Sequence, residues 1–178
     1  MAFNVEIIYL QTDYRFFVCV LFTNLGGLIV DNHYITAERM LQNAELIFST
    51  KSSYTDMYRW FITCYLCGYV PECYGKLMLS AFFDCKNDEL KKLYGHNLKK
   101  IFKDVYDLNL IDSACGKYYI DLKLNCQNIF QGQQKWDPER RYCSDRGTWD
   151  DQTIANDFIT EARKVMSIVY DMKLDGVI

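Results

Sequence analysis

The clearest hydrophobic pattern lies in the middle of the chain, just after a glycine. From residue 98 onward, apolar side chains recur at i, i+3, i+4 and i+7, which is one face of an α-helix: Leu98, Ile101, Phe102 and Val105. Asn97 precedes this run, and its side chain can accept hydrogen bonds from the free N–H groups of a first turn. Gly95 can end a short helix over residues 88–94 by taking a left-handed conformation. The pattern therefore predicts a short helix, a glycine corner and a longer helix.

Further helices are predicted wherever apolar residues keep the three-to-four-residue spacing. They cover residues 34–48, 54–68, 71–83 and 111–130, and a final stretch from residue 150 to about residue 172. Pro71 is compatible with its helix because the first turn tolerates proline. Asp150 and Asp151 suit the start of the last helix, where the helix dipole is positive. Residues 131–149 are polar and are predicted to form a loop.

Residues 1–33 fit two alternatives. Residues 5–10 and 15–22 are rich in β-branched and aromatic side chains, and the turn-like sequence Gln-Thr-Asp between them indicates a β-hairpin. The same region also fits a buried helix over residues 13–25 that ends at Gly26. Periodicity does not decide between them because the run is apolar on all sides. The helical character of the remaining chain favours the helix.

Together these elements predict a mainly α fold, an up-and-down bundle of four to five long helices. Residues 1–33 are expected to be an N-terminal extension or first helix, and residues 34–178 the bundle, within a single domain overall. The length of 178 residues suits one domain, and an apolar fraction of 50% is enough for a substantial core. Only two prolines occur, which disfavours a turn-rich β-sandwich.

Charge and cysteine content narrow the function classes. The formal net charge of −3 argues against a general nucleic-acid coat protein, although it leaves room for a local basic patch. The N-terminal residues include Glu6 and Asp13 but no basic segment, so no signal peptide is predicted. The eight cysteines are therefore expected to be reduced, in a cytoplasmic protein. The apolar stretch 16–30 is too short and too interrupted for a transmembrane helix, so no membrane contact is predicted.

Cys64 and Cys67 form a C-x-x-C sequence, with Cys73 nearby. A structural zinc site needs a second pair of ligands at a similar short spacing, and the sequence contains none. We therefore interpret these cysteines as small buried residues of a helix, and we expect neither a metal nor a cofactor.

Charged residues on the predicted helices are interpreted as solvated faces. Glu72 and Lys76 are spaced i, i+4 with the acid first, which is typical of a surface ion pair. A row of lysines around the glycine corner is interpreted in the same way: Lys91, Lys92, Lys99, Lys100 and Lys103.

Three motifs in this order resemble the HEPN domain family of small helical-bundle proteins. They are Glu72-x-x-x-Lys76 in an apolar helix, Gly95-His96-Asn97-Leu98 at a helix start, and Arg141-Tyr142 in a loop before the terminal helix. The resemblance covers roughly residues 34–173. It implies a bundle of four or five helices that pairs as a homodimer. It also implies association with a nucleotide or RNA, and with a nucleotidyltransferase-type protein as a partner.

The chain departs from the family at one motif. Members that cut RNA carry an arginine followed four to six residues later by a histidine. Here no histidine follows Arg140, Arg141 or Arg146, and both histidines, His33 and His96, lie upstream. The resemblance therefore implies a member without the usual ribonuclease pair.

One ribonuclease arrangement remains open in the sequence. His96 could take a proton from a ribose hydroxyl, because imidazole titrates near neutrality. Arg141 could stabilise the phosphate charge, because guanidinium is always charged and binds phosphate through two hydrogen bonds. The fold would have to bring these two residues together. The alternative for His96 is a structural or capping role at the helix start.

The loop before the last helix holds the candidate binding residues. Its cations could hold phosphates and its aromatic rings could stack on bases: Lys135, Trp136, Arg140, Arg141, Tyr142 and Arg146. The alternative is that the rings of this loop, Trp149 among them, pin it to the bundle while the arginines pair with the nearby acids: Asp137, Glu139 and Asp145.

The sequence therefore supports three functional hypotheses. The first is a non-catalytic, dimeric HEPN-like module that binds a nucleotide, RNA or a partner protein. The second is a metal-independent endoribonuclease of the toxin or defence type that uses His96 and Arg141. The third is a helical adaptor protein of an unrelated family. The missing arginine–histidine pair favours the first, which is not an enzyme.

Overall fold

A computed structural model describes six stretches of the chain: residues 6–12, 15–21, 32–50, 56–131, 135–142 and 147–178. The backbone divides into two compact units, Met1–Val30 and Asp31–Ile178.

The described part of the first unit is a pair of strands. Strand β1 covers Glu6–Thr12 and strand β2 covers Arg15–Leu21. They pair in antiparallel fashion, with Glu6 opposite Leu21 and Thr12 opposite Arg15. Of the two alternatives for this segment, the structure describes the extended one, and residues 15–21 do not form the helix that we favoured. The proposed helix end at Gly26 lies outside the described residues.

The described part of the second unit is helical, which confirms the mainly α fold. Its nine α-helices are α1 (His33–Ser49), α2 (Asp56–Cys67), α3 (Tyr69–Phe83), α4 (Asn87–Tyr94), α5 (Leu98–Ile111), α6 (Ser113–Gly116), α7 (Leu122–Asn125), α8 (Gln127–Phe130) and α9 (Gln152–Leu174). Two short 3-10 helices, Pro138–Tyr142 and Gly147–Asp150, lie in the stretch predicted to be a loop.

The glycine corner forms at the predicted residue, but its ψ of −118° is outside the left-handed helical conformation that we expected. Gly95 follows α4 with a φ of 50°, in the positive region where glycine is favoured. The side chain of Asn97 caps α5, because its oxygen accepts a hydrogen bond from the Lys100 N–H at 3.0 Å. Helix α5 therefore starts at a fixed residue, directly after the glycine corner.

One predicted helix is wrong. Residues 111–130 do not form a single helix but the three four-residue helices α6, α7 and α8. Two aspartates explain the starts of α6 and α7. Asp112 accepts from the Ala114 N–H at 2.8 Å, and Asp121 accepts from the Lys123 N–H at 2.9 Å. Each aspartate satisfies a first-turn donor and so starts a new short helix.

Helix α3 is the centre of the second unit. Ten consecutive residues, 70–79, are buried, and the helix packs against α1, α5 and α9. A helix that is enclosed on all sides can carry polar residues only if they are paired. Glu72 and Lys76 form such a pair on α3.

The C-terminal helix is fixed at both ends. Asp151 caps α9 by accepting hydrogen bonds from the Thr153 N–H at 2.6 Å and the Ile154 N–H at 3.1 Å. At the other end, Asp175 accepts from Lys117 Nζ at 2.7 Å and from the Tyr118 hydroxyl at 2.6 Å. These donors favour the carboxylate, so they lower the pKa of Asp175 below its ordinary value of 3.8.

Asp175 is expected to contribute to acid sensitivity. A lowered pKa in the folded chain means that its stabilising effect is complete above the ordinary value. The effect is lost as the pH falls through the lowered value. Urea unfolding at about pH 6 and about pH 3 should therefore show a smaller acid-induced loss of stability for Asp175→Asn than for the unchanged protein. An equal loss in both proteins would show that the Lys117 and Tyr118 contacts do not stabilise the carboxylate.

Candidate functional site

A long groove runs along α5 and is closed on its other side by residues 119–123, 129–131 and 135–138. We call it the α5 groove. Its volume is about 1390 Å³. Pockets for drug-sized ligands have volumes of about 300–1,000 Å³, so the α5 groove is larger than such a ligand needs.

Lysines dominate the charge of the α5 groove. Five of them line it: Lys99, Lys100, Lys103, Lys123 and Lys135. The two acids in its lining, Asp121 and Asp137, are occupied by backbone groups. Asp121 caps α7, and Asp137 accepts from the Glu139 N–H at 2.9 Å. Five lysines against two acids give the groove a local positive charge, although the whole chain has a formal net charge of −3.

These lysines differ in how they are held. Lys100 donates to the Leu93 carbonyl oxygen at 2.9 Å, and Lys103 forms an ion pair with Asp107 one turn along α5. In the described part of the chain, the other three are exposed and form no ion pair: Lys99, Lys123 and Lys135. Their ammonium groups are free to meet an anionic ligand.

Trp136 lines the groove. Its indole N–H donates to the Tyr65 carbonyl oxygen at 2.9 Å, and its own backbone N–H donates to the Ile129 carbonyl oxygen at 2.7 Å. The indole is buried because Gly68 leaves room for it. A Cβ atom on Gly68 would lie 1.8 Å from Trp136 Cδ1. The missing side chain at Gly68 therefore sets the position of the Trp136 ring.

Further aromatic rings line the groove along its length. Phe102 and Phe130 meet edge to face with ring centroids 5.1 Å apart. Tyr106 and Tyr119 do the same at 6.2 Å, and 48% of Tyr106 remains exposed. Lysines beside exposed ring faces are the combination that single-stranded nucleic acids use, since cations hold phosphates and rings stack on bases.

The pair of Glu72 and Lys76 was predicted at the surface, and this is wrong. Only 2% of Glu72 and 8% of Lys76 are exposed, and Lys76 Nζ lies 2.8 Å from Glu72 Oε1. The i, i+4 spacing was interpreted correctly, but α3 is enclosed on all sides, so its charged pair is enclosed with it.

Glu72 also holds His96 at the wall of the α5 groove. His96 Nδ1 lies 3.0 Å from both carboxylate oxygens of Glu72. The ring of Tyr69 meets the imidazole edge on at 5.9 Å and meets the Trp136 ring at 5.0 Å. His96 is therefore part of an ordered wall that connects the buried pair to the groove.

The predicted site residues separate into three groups. His96, Lys135 and Trp136 line the α5 groove. Arg140 and Tyr142 do not line it, because the Arg140 guanidinium lies 4.6 Å from the centre of the Trp149 ring and Tyr142 is 71% exposed elsewhere.

Two predicted residues cannot be placed at the groove. The backbone of Arg141 belongs to the first 3-10 helix, but its side chain lies outside the described residues, as does the whole of Arg146. The arrangement of His96 with Arg141 stays a prediction.

Sequence reasoning missed most of the lysines that line the groove. Lys99, Lys100 and Lys103 were interpreted as a solvated face, and Lys123 was not singled out. The available signal was their alternation with Phe102 and Tyr106 on α5. The side that closes the groove comes from later in the chain, between Tyr119 and Pro138, so no local pattern shows it.

Six cysteines of the second unit are buried free thiols: Cys64, Cys67, Cys73, Cys85, Cys115 and Cys126. Burial raises the pKa of Cys64 and Cys67 above its ordinary value, and it raises that of Cys126 to about 12. A protonated thiol is a poor nucleophile. Among the described residues, no three histidine, cysteine or acidic side chains are grouped so that they could hold a metal ion.

None of the described helices combines the length and the apolar character that crossing a membrane requires. Comparison of the chain with protein-family models, with curated proteins and with solved structures finds no significant match.

Proposed function

We propose that this chain is a HEPN-like binding module that holds single-stranded RNA in the α5 groove without cutting it. The observation that carries the proposal is the set of five lysines around one groove whose two acids are occupied by backbone N–H groups. Phosphate groups are the anions that such a set of lysines binds along an extended ligand.

The size of the groove favours a strand over a mononucleotide. Its volume of about 1390 Å³ exceeds that of ordinary small-ligand pockets. The residues of α5 that line it run from Leu98 to Tyr106. At a rise of about 1.5 Å per residue, that is roughly 12 Å of cationic wall, which is enough for more than one phosphate.

We expect the aromatic rings of the groove to contact the bases of the strand. Base stacking on an aromatic side chain contributes about 1–3 kcal/mol per base and tolerates any sequence. Tyr106 offers an exposed face for this, next to Lys103 on α5. Binding of this kind recognises the strand rather than a particular base sequence.

The proposed lack of cleavage rests on the sequence. The arginine–histidine pair that marks the cutting members of the HEPN family is missing. The proposal also includes a homodimer and a nucleotidyltransferase-type partner. Both are inferred from the HEPN resemblance.

The proposal predicts a large loss of RNA affinity when the three unpaired lysines are neutralised. The variant Lys99→Gln, Lys123→Gln, Lys135→Gln should bind a short single-stranded RNA more weakly at low salt. Each phosphate contact contributes about 0.7 to the slope of log affinity against log salt, so the slope should fall by about 2. Fluorescence anisotropy of a labelled RNA over a salt series measures both quantities.

A matched control removes the same charge elsewhere. Lys91, Lys92 and Lys164 are exposed and do not line the groove, so changing all three to Gln should leave the salt slope nearly unchanged. Equal losses in the two triple variants would show that only net charge matters and would contradict a specific site. RNA that is cut without a metal, with cutting lost in His96→Ala, would contradict the non-catalytic assignment.

A further inference from the structure

We propose that His96 recognises the 2′-hydroxyl group of a bound ribose, and that Glu72 is the positioning residue that prepares it for this. The inference rests on the proposed function, because it assigns the α5 groove a preference for RNA over DNA. It names the side chain and the ring nitrogen that make the distinction.

The Glu72 carboxylate determines the tautomer of His96. Its Nδ1 faces both oxygens of the Glu72 carboxylate at 3.0 Å. A carboxylate has no hydrogen to donate, so Nδ1 must carry the hydrogen of this contact. In the neutral ring Nε2 is then a hydrogen-bond acceptor. The buried acid therefore determines which ring nitrogen can accept from a ligand.

Glu72 and the imidazole of His96 are both held in place by their neighbours. Glu72 cannot turn away, because it is 2% exposed on an enclosed helix and its Oε1 is held by Lys76 Nζ at 2.8 Å. The edge-to-face contact of Tyr69 with the imidazole, at 5.9 Å, limits rotation of the ring. A ring that is already oriented loses little entropy when a ligand binds.

Nε2 of His96 lies on the side of the ring that is exposed to the α5 groove. The His96 side chain is 49% exposed and lines the α5 groove. Because Nδ1 lies on the buried acid, the exposed half of the ring contains Nε2. In the described part of the chain, no side chain or backbone group hydrogen bonds to Nε2. This acceptor is left for a ligand.

A ribose 2′-hydroxyl is the hydrogen-bond donor that best fits His96 Nε2. Lys99 follows His96 closely on the same wall of the groove, so a phosphate held there places the adjoining sugar near the imidazole. The neighbouring polar side chain, Asn97, is occupied as the cap of α5. The 2′-hydroxyl is both the donor nearest to an RNA phosphate and the group by which proteins distinguish RNA from DNA.

The test compares three single strands of the same adenine and cytosine sequence: RNA, DNA and 2′-O-methyl RNA. The methylated strand keeps the ribose oxygen but has no hydrogen to donate. The unchanged protein should bind RNA roughly 2- to 10-fold more tightly than either other strand. In His96→Ala the affinities for the three strands should become equal.

Two further measurements distinguish the phosphate contact of Lys99 from the role of Glu72 in positioning His96. Lys99→Gln should weaken binding of all three strands by a similar factor and keep their ratio. Nitrogen NMR of the imidazole in the unchanged protein should show a protonated Nδ1 and an unprotonated Nε2, without any substitution at the buried Glu72. The opposite tautomer would overturn the role of Glu72.

The outcomes distinguish this inference from the function on which it rests. Equal binding of the three strands by the unchanged protein would overturn the inference and leave the proposed RNA-binding groove intact. A preference for RNA that survives in His96→Ala would also overturn it. If no strand binds, both proposals fail. If the unchanged protein cuts RNA and His96→Ala does not, His96 removes a proton instead of accepting a hydrogen bond, and the inference is overturned.

Discussion

Glu72→Gln is expected to lower the unfolding free energy by roughly 3–5 kcal/mol, because it leaves a buried ammonium group without its counter-charge. Lys76 Nζ is within 2.8 Å of the Glu72 carboxylate, and both residues are buried on α3. The change keeps the size of the side chain, so the loss reports the charge and not a cavity. Urea unfolding followed by circular dichroism measures it.

The chain contains a matched control for this experiment. Lys103 and Asp107 form an ion pair with the same i, i+4 spacing on α5, but both side chains are exposed. Asp107→Asn should therefore change the unfolding free energy very little, because exposed pairs are screened by water. The double variant Glu72→Met, Lys76→Met should recover much of the stability that Glu72→Gln loses, since apolar replacements remove both buried charges. Similar small effects of Glu72→Gln and Asp107→Asn would show that the α3 pair is exposed in solution.

Gly68→Ala is expected to cost about 3 kcal/mol, near the upper end for overpacking of a core. The new Cβ atom would lie 1.8 Å from Trp136 Cδ1, so the indole would have to leave its place. Its hydrogen bond to the Tyr65 carbonyl oxygen, now 2.9 Å, would be lost with it. The backbone is not the cause, because Gly68 has a φ of −68°, which alanine adopts without strain.

Gly116→Ala is the control for this substitution. A Cβ atom there would meet only the Asn109 side-chain oxygen, at 3.2 Å, so stability should change by less than about 1 kcal/mol. Gly68→Ala should also weaken RNA binding, because Trp136 lines the α5 groove. Unchanged stability together with unchanged RNA affinity in Gly68→Ala would show that Trp136 is not packed where the structure has it.

The helices that follow a clear amphipathic pattern could be predicted from the sequence. The segment from Gly95 to Ile111 is the best example, since the glycine corner, the Asn97 cap and the apolar face are all local signals. The stretch from Asp112 to Phe130 was mispredicted as one helix. Its apolar spacing continues across two capping aspartates, and these local caps interrupt the helix more strongly than the apolar spacing favours it.

The candidate site could be predicted only in part, because it depends on which segments meet. His96, Lys135 and Trp136 were identified from their types, but their common groove is made by α5 and by segments after residue 118. Likewise, the spacing of Glu72 and Lys76 gives no information about burial. Whether such a pair is exposed depends on the helices that cover α3, and these are distant in the sequence.

Mapping the RNA contacts on the folded protein tests the central claim most directly. Backbone amide NMR signals of isotope-labelled protein should be followed while a short single-stranded RNA is added. The signals that move are expected to come from the segments that line the groove, residues 96–106, 119–123, 129–131 and 135–137. Shifts confined instead to the cleft between α1 and α9, around Gln42, Glu45 and Arg163, would contradict it.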